Sequence, residues 1–315
     1  MATELELKLM LQSEYLKSAS DFLDEICALS DDDTVSRQPT LNLMNAYYDT
    51  EDGQLMLGGM ALRIRAVNDQ FIQTVKTRGT SRIGMHARGE WEWQLENDYL
   101  DLSLLKDVPL PDVLQDMSWS RHLQQAYRTD FQRQVWNIQQ GDTKMEVVCD
   151  QGKVTSPYGE DSICELELEL KSGPEAALYE FALRIAERVP IQVSVVSKAQ
   201  KGVRLKHGQI EFPQRPIASV SRMALAAYWY EVWLVYWEAM FFMQDEVLLQ
   251  PFRHTIGQLR PCLPTHLDQA LVELDNALGE LYKADEDKVL ELLGGLKSIG
   301  SLMLKIGQWL NQQSH

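Results

Sequence analysis

The stretch Glu4-Leu5-Glu6-Leu7-Lys8 alternates charged residues and leucines without a break. Successive side chains of a β-strand point to opposite faces, so Glu4, Glu6 and Lys8 would share one face and the leucines the other. Alone, such a strand indicates only a sheet with one solvated face. The pattern becomes decisive because it recurs in later segments.

Charged rows on one strand face are repeated along the first 205 residues. If such a sheet closes on itself, one set of faces must line an interior. Unpaired buried charges are too costly for a dry core, so the charged faces would surround water, ions and a charged ligand. The leucine faces would pack against helices. The residues of these rows are Arg63 with Arg65, Thr74 with Lys76, Arg88 with Glu90 and Glu92, and Glu165 with Glu167 and Glu169, joined by Arg133 and Asp150.

These rows belong to a series of predicted strands with short turns, which is typical of an antiparallel barrel or sandwich. Helices are predicted from about Glu14 to Leu29 and, after the capping-box spacing of Ser172-Gly173-Pro174-Glu175, to about Val189. Short helices are expected in Asp101–Asp116. The predicted strands are Thr3–Leu11, Thr40–Thr50, Met60–Val67, Phe71–Arg78, Arg88–Asn97, Arg128–Gln139, Thr143–Asp150, Lys153–Pro157 and Ile163–Lys171.

The remainder of the chain has helical periodicity. A linker at 206–218 precedes one long aromatic helix, Ser219–Gln250, and two amphipathic helices, Thr265–Tyr282 and Asp285–Leu310. Charges inside the long helix argue against a membrane span. Glu231, Glu238 and Asp245 recur every seven residues and form one narrow polar stripe. The three helices would form a small bundle that leans on the β-domain or supports a homodimer.

Composition limits the function classes. The net charge of −16 disfavours nucleic-acid binding. The four cysteines form no C-x-x-C pair, and no signal peptide is seen, so we expect a cytoplasmic protein. The proposed lumen has seven cationic residues against eight carboxylates, and two divalent cations would leave it about +3. This balance suits a polyanion such as triphosphate, bound by Arg and Lys.

The chain resembles the CYTH superfamily, the triphosphate tunnel metalloenzymes. Glu4-Leu5-Glu6-Leu7-Lys8 matches the E-x-E-x-K signature of that family, and the supporting segments follow in the order found in bacterial inorganic triphosphatases. Those segments are Tyr47–Thr50, Leu62–Arg65, Thr74–Lys76, Arg88–Glu90, Asp130–Arg133, Asp150–Gly152, Cys164–Leu170 and Ser197–Ala199. Lys201 and Val203 depart from the pattern, since relatives often have arginine and an aromatic residue there.

The resemblance implies an α+β fold: an eight-stranded antiparallel β-barrel with flanking helices over residues 1–205, followed by a small all-α bundle over 219–315. It also implies metal-dependent hydrolysis of inorganic triphosphate to pyrophosphate and phosphate, with Mg²⁺ or Mn²⁺. The predicted catalytic residues are Glu4, Glu6, Lys8 and Lys76. The predicted substrate-binding residues are Lys8, Arg63, Arg65, Lys76, Arg88, Arg133, Lys198 and Lys201. The predicted metal ligands are Glu4, Glu6, Glu90, Asp150, Glu165, Glu167 and Glu169.

The helical region resembles the front half of a CHAD domain through Phe252–Thr255 and Pro264–Leu267. CHAD modules are thought to bind polyphosphate on basic surfaces. Here residues 216–315 contain seven Lys or Arg against twelve Asp or Glu, which argues against polyphosphate binding by this region.

Three other functions fit part of the pattern. The same tunnel could serve a class IV adenylate cyclase or the hydrolysis of thiamine triphosphate, a nucleotide or short polyphosphate. A non-enzymatic polyphosphate-binding module would explain the cations but not the carboxylates. A glycosidase with paired carboxylates would leave the rows of Arg and Lys unexplained.

Overall fold

The computed structural model describes residues 2–30, 35–68, 70–82, 85–208, 210–216, 221–284 and 288–313. Within these ranges the side chains of 2–4, 78–82, 85–88 and 282–284 are not described.

Eight long antiparallel strands form a barrel. β1 hydrogen-bonds to β6 on one side and to β9 on the other, so the pairings run β1-β6-β5-β4-β3-β7-β8-β9 and return to β1. The short strand β2 adds to β7, and β10 adds to β1. The described residues therefore contain ten strands, of which β2 and β10 lie outside the predicted eight-stranded barrel. Their bounds are β1 Ala2–Met10, β2 Ser36–Arg37, β3 Leu41–Asp49, β4 Met60–Val67, β5 Gln70–Arg82, β6 Met85–Leu95, β7 Gln124–Gln140, β8 Thr143–Ser156, β9 Gly159–Ser172 and β10 Gln192–Val193.

Alternation along the strands separates charge from apolar surface. Leu7 and Leu9 of β1 and Leu166 and Leu168 of β9 are fully buried in the main apolar core. The residues between them, such as Lys8, turn to the opposite face and meet inside the barrel. The predicted inside-out arrangement is thus confirmed, and we call the enclosed space the lumen.

Helices cover the barrel and continue beyond it. Among the described residues up to 207, four are found: α1 Leu16–Ala28, α2 Gln54–Leu57, α3 Ala176–Arg188 and α4 Lys198–His207. The part of the chain described after residue 207 contains α5 Arg222–Met243, α6 Leu249–Leu259, α7 Thr265–Ala284, α8 Val289–Gly294 and α9 Lys297–Gln312. Short 3-10 turns occupy Leu102–Asp107 and Asp112–Leu114, consistent with the predicted short helices, and another lies beyond that section at Ser118–His122.

Several predicted boundaries were wrong for local reasons. The long helix ends at Met243, because Gln244 adopts a left-handed conformation with φ of 51° before a second helix begins. The segments Thr143–Asp150 and Lys153–Pro157, predicted as two strands, form the single strand β8, with Gly152 in its interior. A Cβ on Gly152 would overlap the backbone at Phe131, so glycine permits close packing of strands there. The capping box at Ser172 does not form; Ser197 and Gln200 make one at the start of α4.

The barrel and the helical region share one apolar core. Leucines from the outer face of β1 and β9 belong to the same buried cluster as Tyr179 of α3, Tyr230 of α5 and Met303 of α9. The Tyr230 hydroxyl donates to the Met303 carbonyl at 2.8 Å. Gly300 of α9 lies so close to the Ile191 carbonyl that no side chain would fit between them. Among the described helices, none is long and apolar enough to cross a membrane.

Candidate active site

Three carboxylates meet in the lumen where β8 pairs with β9. Asp150 of β8 is the direct cross-strand partner of Glu165 on β9, and Glu167 lies two residues further along the same face. All three are buried or nearly so, and one oxygen from each lies within 4.8 Å of the others. We call these three residues the carboxylate triad.

Three cations neutralise the triad. Arg133 donates two hydrogen bonds to Asp150, at 2.8 and 2.7 Å, and a third to Glu167 at 2.8 Å. Lys198 Nζ lies 2.7 Å from Asp150 and 3.0 Å from Glu167, and it contacts Glu165 directly. Lys8 contacts Glu167. These contacts satisfy buried charges that would otherwise be prohibitive.

Burial and the surrounding charges together shift the pKa values of the three carboxyls of the triad in different directions. Burial alone raises the pKa of Glu167, but Lys198, Lys8 and Arg133 together hold that pKa well below its ordinary value. For Asp150 burial is likewise outweighed, by Arg133 and Lys198, and the pKa falls. At Glu165 burial prevails over Lys198 and Lys8, so its pKa is raised. Of the three carboxyls, Glu165 is therefore the one whose ionised form its surroundings favour least.

A second polar group is formed by side chains of β4, β5 and β6. Arg63 of β4 lies 3.6 Å from Glu90 and 3.8 Å from Glu92, both on β6. Lys76 of β5 pairs with Glu90 at 3.1 Å. The Arg63 guanidinium donates to the Tyr47 hydroxyl at 3.4 Å. In this group the positive charges of Arg63 and Lys76 therefore lie beside carboxylates of β6.

Arg65 connects the two groups. Its Nε donates to Asn45 Oδ1 at 3.0 Å rather than to a carboxylate. Burial, followed by repulsion from Arg63 and Arg133, lowers the pKa of Arg65 to about 10. Because Arg63 and Arg133 both repel Arg65, the carboxylates around these three arginines do not fully balance their positive charge. Such a potential favours an anionic ligand.

The other predicted residues are placed as follows. Glu6 is buried with its Oε1 3.5 Å from Lys8 Nζ, whereas Glu169 pairs with Lys171 at 2.6 Å. Lys201 lies 3.6 Å from Asp161, and its positive charge also acts on Glu165 of the triad. Glu4 and Arg88 are backbone partners between β1 and β6, and their side chains lie outside the described part of the chain.

Helix α4 brings Lys198 into the barrel. Ser197 caps the helix, so Lys198 is its first residue. Gly202 faces the ring of Tyr127 so closely that a Cβ would overlap it. Tyr127 in turn stacks on Tyr47 with ring centroids 4.7 Å apart. The helix is therefore seated against the strands that carry the site.

Sequence reasoning missed the neutral residues of the lumen. Asn45 holds Arg65, Tyr47 contacts Arg63, and the Phe131 ring lies 5.7 Å from Arg133 Cζ and 5.1 Å from Lys198 Nζ. The same alternation that selected the charged rows would have found Asn45 and Tyr47, because both alternate on β3 with outward-facing residues.

Comparisons with known proteins agree with this arrangement. Residues 2–203 match the sequence profile of the family described as CYTH domain. A 210-residue region, 65% of this chain, is 31% identical to the inorganic triphosphatase of Haemophilus influenzae and covers 55% of that protein. The chain thus spans about half the length of this curated relative.

Solved structures of low sequence identity were also found. An adenylyl cyclase candidate from Hippeastrum, described as having a dominant triphosphatase activity, matches with a TM-score of 0.49 and 20% identity, over 66% of this chain and 97% of that one. The triphosphatase of the Mimivirus capping enzyme matches with a TM-score of 0.34 and 11% identity, over 59% and 89% of the two chains.

Proposed function

Because the chain belongs to the CYTH domain family, we propose that its lumen binds inorganic triphosphate and hydrolyses it to pyrophosphate and phosphate with a divalent cation. The observation that carries this proposal is the carboxylate triad, surrounded inside one lumen by Lys8, Arg133 and Lys198. The identity of the substrate rests on the named activity of the Haemophilus influenzae relative.

The triad fits a hard divalent cation. Its three carboxylates offer oxygens within 4.8 Å of one another, and oxygen is the ligand that Mg²⁺ and Mn²⁺ prefer. Asp150, Glu165 and Glu167 would hold the ion, with Glu4 and Glu6 of β1 as further candidates. A bound ion would supply positive charge for phosphate oxygens and a means of lowering the pKa of a water.

The cations of the lumen would bind the phosphates. Arg63 and Arg65 project from the same face of β4, and Lys76 lies across from Arg63's partner Glu90. Arg133, Lys8 and Lys198 now neutralise carboxylates and would donate to phosphate oxygens once substrate is present. Positive groups fixed in a buried lumen stabilise charge that develops on the transferred phosphoryl group. Lys8 and Lys76 are the proposed residues for that task.

A cytoplasmic location belongs to the same proposal. The four cysteines, Cys27, Cys149, Cys164 and Cys262, are all free. Disulfides are rare in the cytoplasm, so free thiols support this location.

A phosphate-release panel tests the proposal. Inorganic triphosphate, ATP, thiamine triphosphate and long-chain polyphosphate are each assayed with Mg²⁺, with Mn²⁺ and with a chelator. We expect fastest release from inorganic triphosphate, abolished by chelator and by Lys8→Ala. Activity that persists with chelator, or tight anion binding with no turnover of any substrate, would contradict the proposal.

A further inference from the structure

Glu238 is a buried carboxylate in the C-terminal third of α5, outside the barrel. Glu238 belongs to the polar stripe whose three members recur every seven residues. In the structure these three members have different surroundings. Glu231 is exposed, Asp245 caps a short turn by accepting from the Val247 amide, and Glu238 is only 2% exposed. A carboxylate so deeply buried requires specific partners.

The two oxygens of Glu238 contact two different points of the chain. Oε1 accepts a hydrogen bond from the Ser194 hydroxyl, and Oε2 lies 3.7 Å from Nη1 of Arg204. Ser194 precedes Lys198 by four residues, and Arg204 follows it by six. One side chain of the helical region therefore holds both ends of the segment 194–204, which we call the Lys198 segment.

Arg204 is held firmly at this point. Its Nη2 and Nε donate to Asp161 Oδ2 at 2.6 and 3.2 Å, and its Cζ lies 4.0 Å from the ring centroid of Phe242. Phe242 follows Glu238 by four residues and so lies on the same face of α5. Arg204 Nη1 has no hydrogen-bond partner among the described residues, so Glu238 balances its charge without a direct hydrogen bond.

We propose that Glu238 is a positioning residue for the active site. By anchoring both ends of the Lys198 segment, it fixes where Lys198 Nζ meets the carboxylate triad and the substrate phosphates. The helical region is then a working part of the site rather than a separate module. This inference rests on the proposed function for its kinetic consequence, although the anchoring can be measured without it.

Glu238→Gln is the appropriate variant, because glutamine keeps the size and can still accept from Ser194 while losing the charge that faces Arg204. Glu231→Gln is the matched control, since it makes the same change on the same helix at an exposed position. We measure amide hydrogen exchange of residues 194–207, together with kcat and KM for inorganic triphosphate with Mn²⁺. Each variant is also made in the Lys198→Ala background.

We expect Glu238→Gln to speed exchange in α4 and to lower kcat at least about tenfold, because small misplacements of a catalytic group are costly. In the Lys198→Ala background, the same change should lower kcat less than about twofold, since the group that it positions is gone. Glu231→Gln should alter neither exchange nor kcat.

Unchanged exchange in α4, or losses that multiply independently in the double variant, would overturn the inference. If Glu238→Gln fails to fold, Ser194→Ala removes one anchor more gently and takes its place, with the same two criteria. If the wild-type protein hydrolyses no triphosphate, the proposed function fails, and the exchange comparison alone decides whether Glu238 anchors the Lys198 segment.

Discussion

At the scale of single residues, the cationic and acidic side chains of the lumen neutralise one another. Lys8, Arg133 and Lys198 occupy the carboxylates that a cation would use. Alternation along the strands predicted which charged residues face inward. It did not predict that Lys198 meets the triad, because that contact depends on where α4 packs.

Glu167 and Glu169 lie on the same strand face, and the structure distinguishes them. Glu167 belongs to the triad, whereas Glu169 pairs with the half-exposed Lys171. We expect Glu167→Gln to lower Mn²⁺-dependent triphosphatase activity about a hundredfold or more, because a metal ion supplies several kcal/mol. The matched variant Glu169→Gln should lose less than about fivefold. Equal losses, measured by phosphate release, would contradict this assignment.

The lowered pKa of Glu167 predicts a pH-dependent stability of the metal-free protein. A carboxyl whose folded pKa is depressed stabilises the fold above the unfolded pKa of about 4, and this stability is lost as pH falls through the folded pKa. Glu167→Gln should therefore be about 3 kcal/mol less stable at pH 7, since it leaves buried cations unpaired.

Below about pH 4 that difference in unfolding free energy should shrink, because the unfolded wild-type chain takes up a proton at Glu167 that the folded protein binds only at lower pH. The raised pKa of Glu165 acts in the opposite sense but is common to both proteins, so it cancels to a first approximation. Urea unfolding between pH 7 and pH 3 measures the difference. A gap that stays constant with pH would show that Glu167 is not held ionised by its neighbours.

At the scale of elements, the two-residue periodicity of the strands predicted most of the barrel. The prediction was wrong where a glycine allows close packing of strands instead of forming a turn. Gly152 falls between two predicted strands, yet it lies within the single strand β8 against Phe131. The break of the aromatic helix at Gln244 had no signal in a sequence without glycine or proline at that point. Such features depend on tertiary contacts that local patterns do not contain.

Gly202 tests how closely α4 must approach the barrel. Gly202→Ala places a methyl group into the ring of Tyr127, so we expect a loss of about 2 kcal/mol in unfolding free energy and weaker triphosphate binding. Gly257→Ala in α6 is the control, because the added methyl group would face open space, and it should gain up to about 1 kcal/mol. Thermal unfolding and calorimetric titration measure both. A Gly202→Ala protein as stable as wild type would refute this packing.

At the scale of the whole molecule, the helical region completes the core of the barrel. The sequence predicted its helices but left open whether their apolar faces pack on the barrel or on a second copy. The shared core joins Leu7 and Leu168 of the barrel to Trp233 and Leu304 of the helices. An apolar helix face indicates that the helix packs against another surface, but only the three-dimensional structure shows which surface that is.

A chain ending at Gly208 should therefore lose cooperative stability. Removing the helices would expose Tyr179, Ile191 and other residues of that core, so we expect aggregation or an unfolding temperature lower by more than about 10 °C. The control Asp275→Asn breaks only the partly exposed pair with Arg253 and should shift the temperature by less than about 3 °C. A shortened chain that unfolds cooperatively at the full-length temperature would disprove the shared core.

The central claim is that side chains from separate strands converge in the lumen to hold a divalent cation. Anomalous diffraction from crystals soaked with Mn²⁺ locates that ion directly. We predict a peak about 2.1 Å from carboxylate oxygens of at least two of Asp150, Glu165 and Glu167. A peak only at other carboxylates, in crystals of a protein that shows Mn²⁺-dependent hydrolysis, would contradict it.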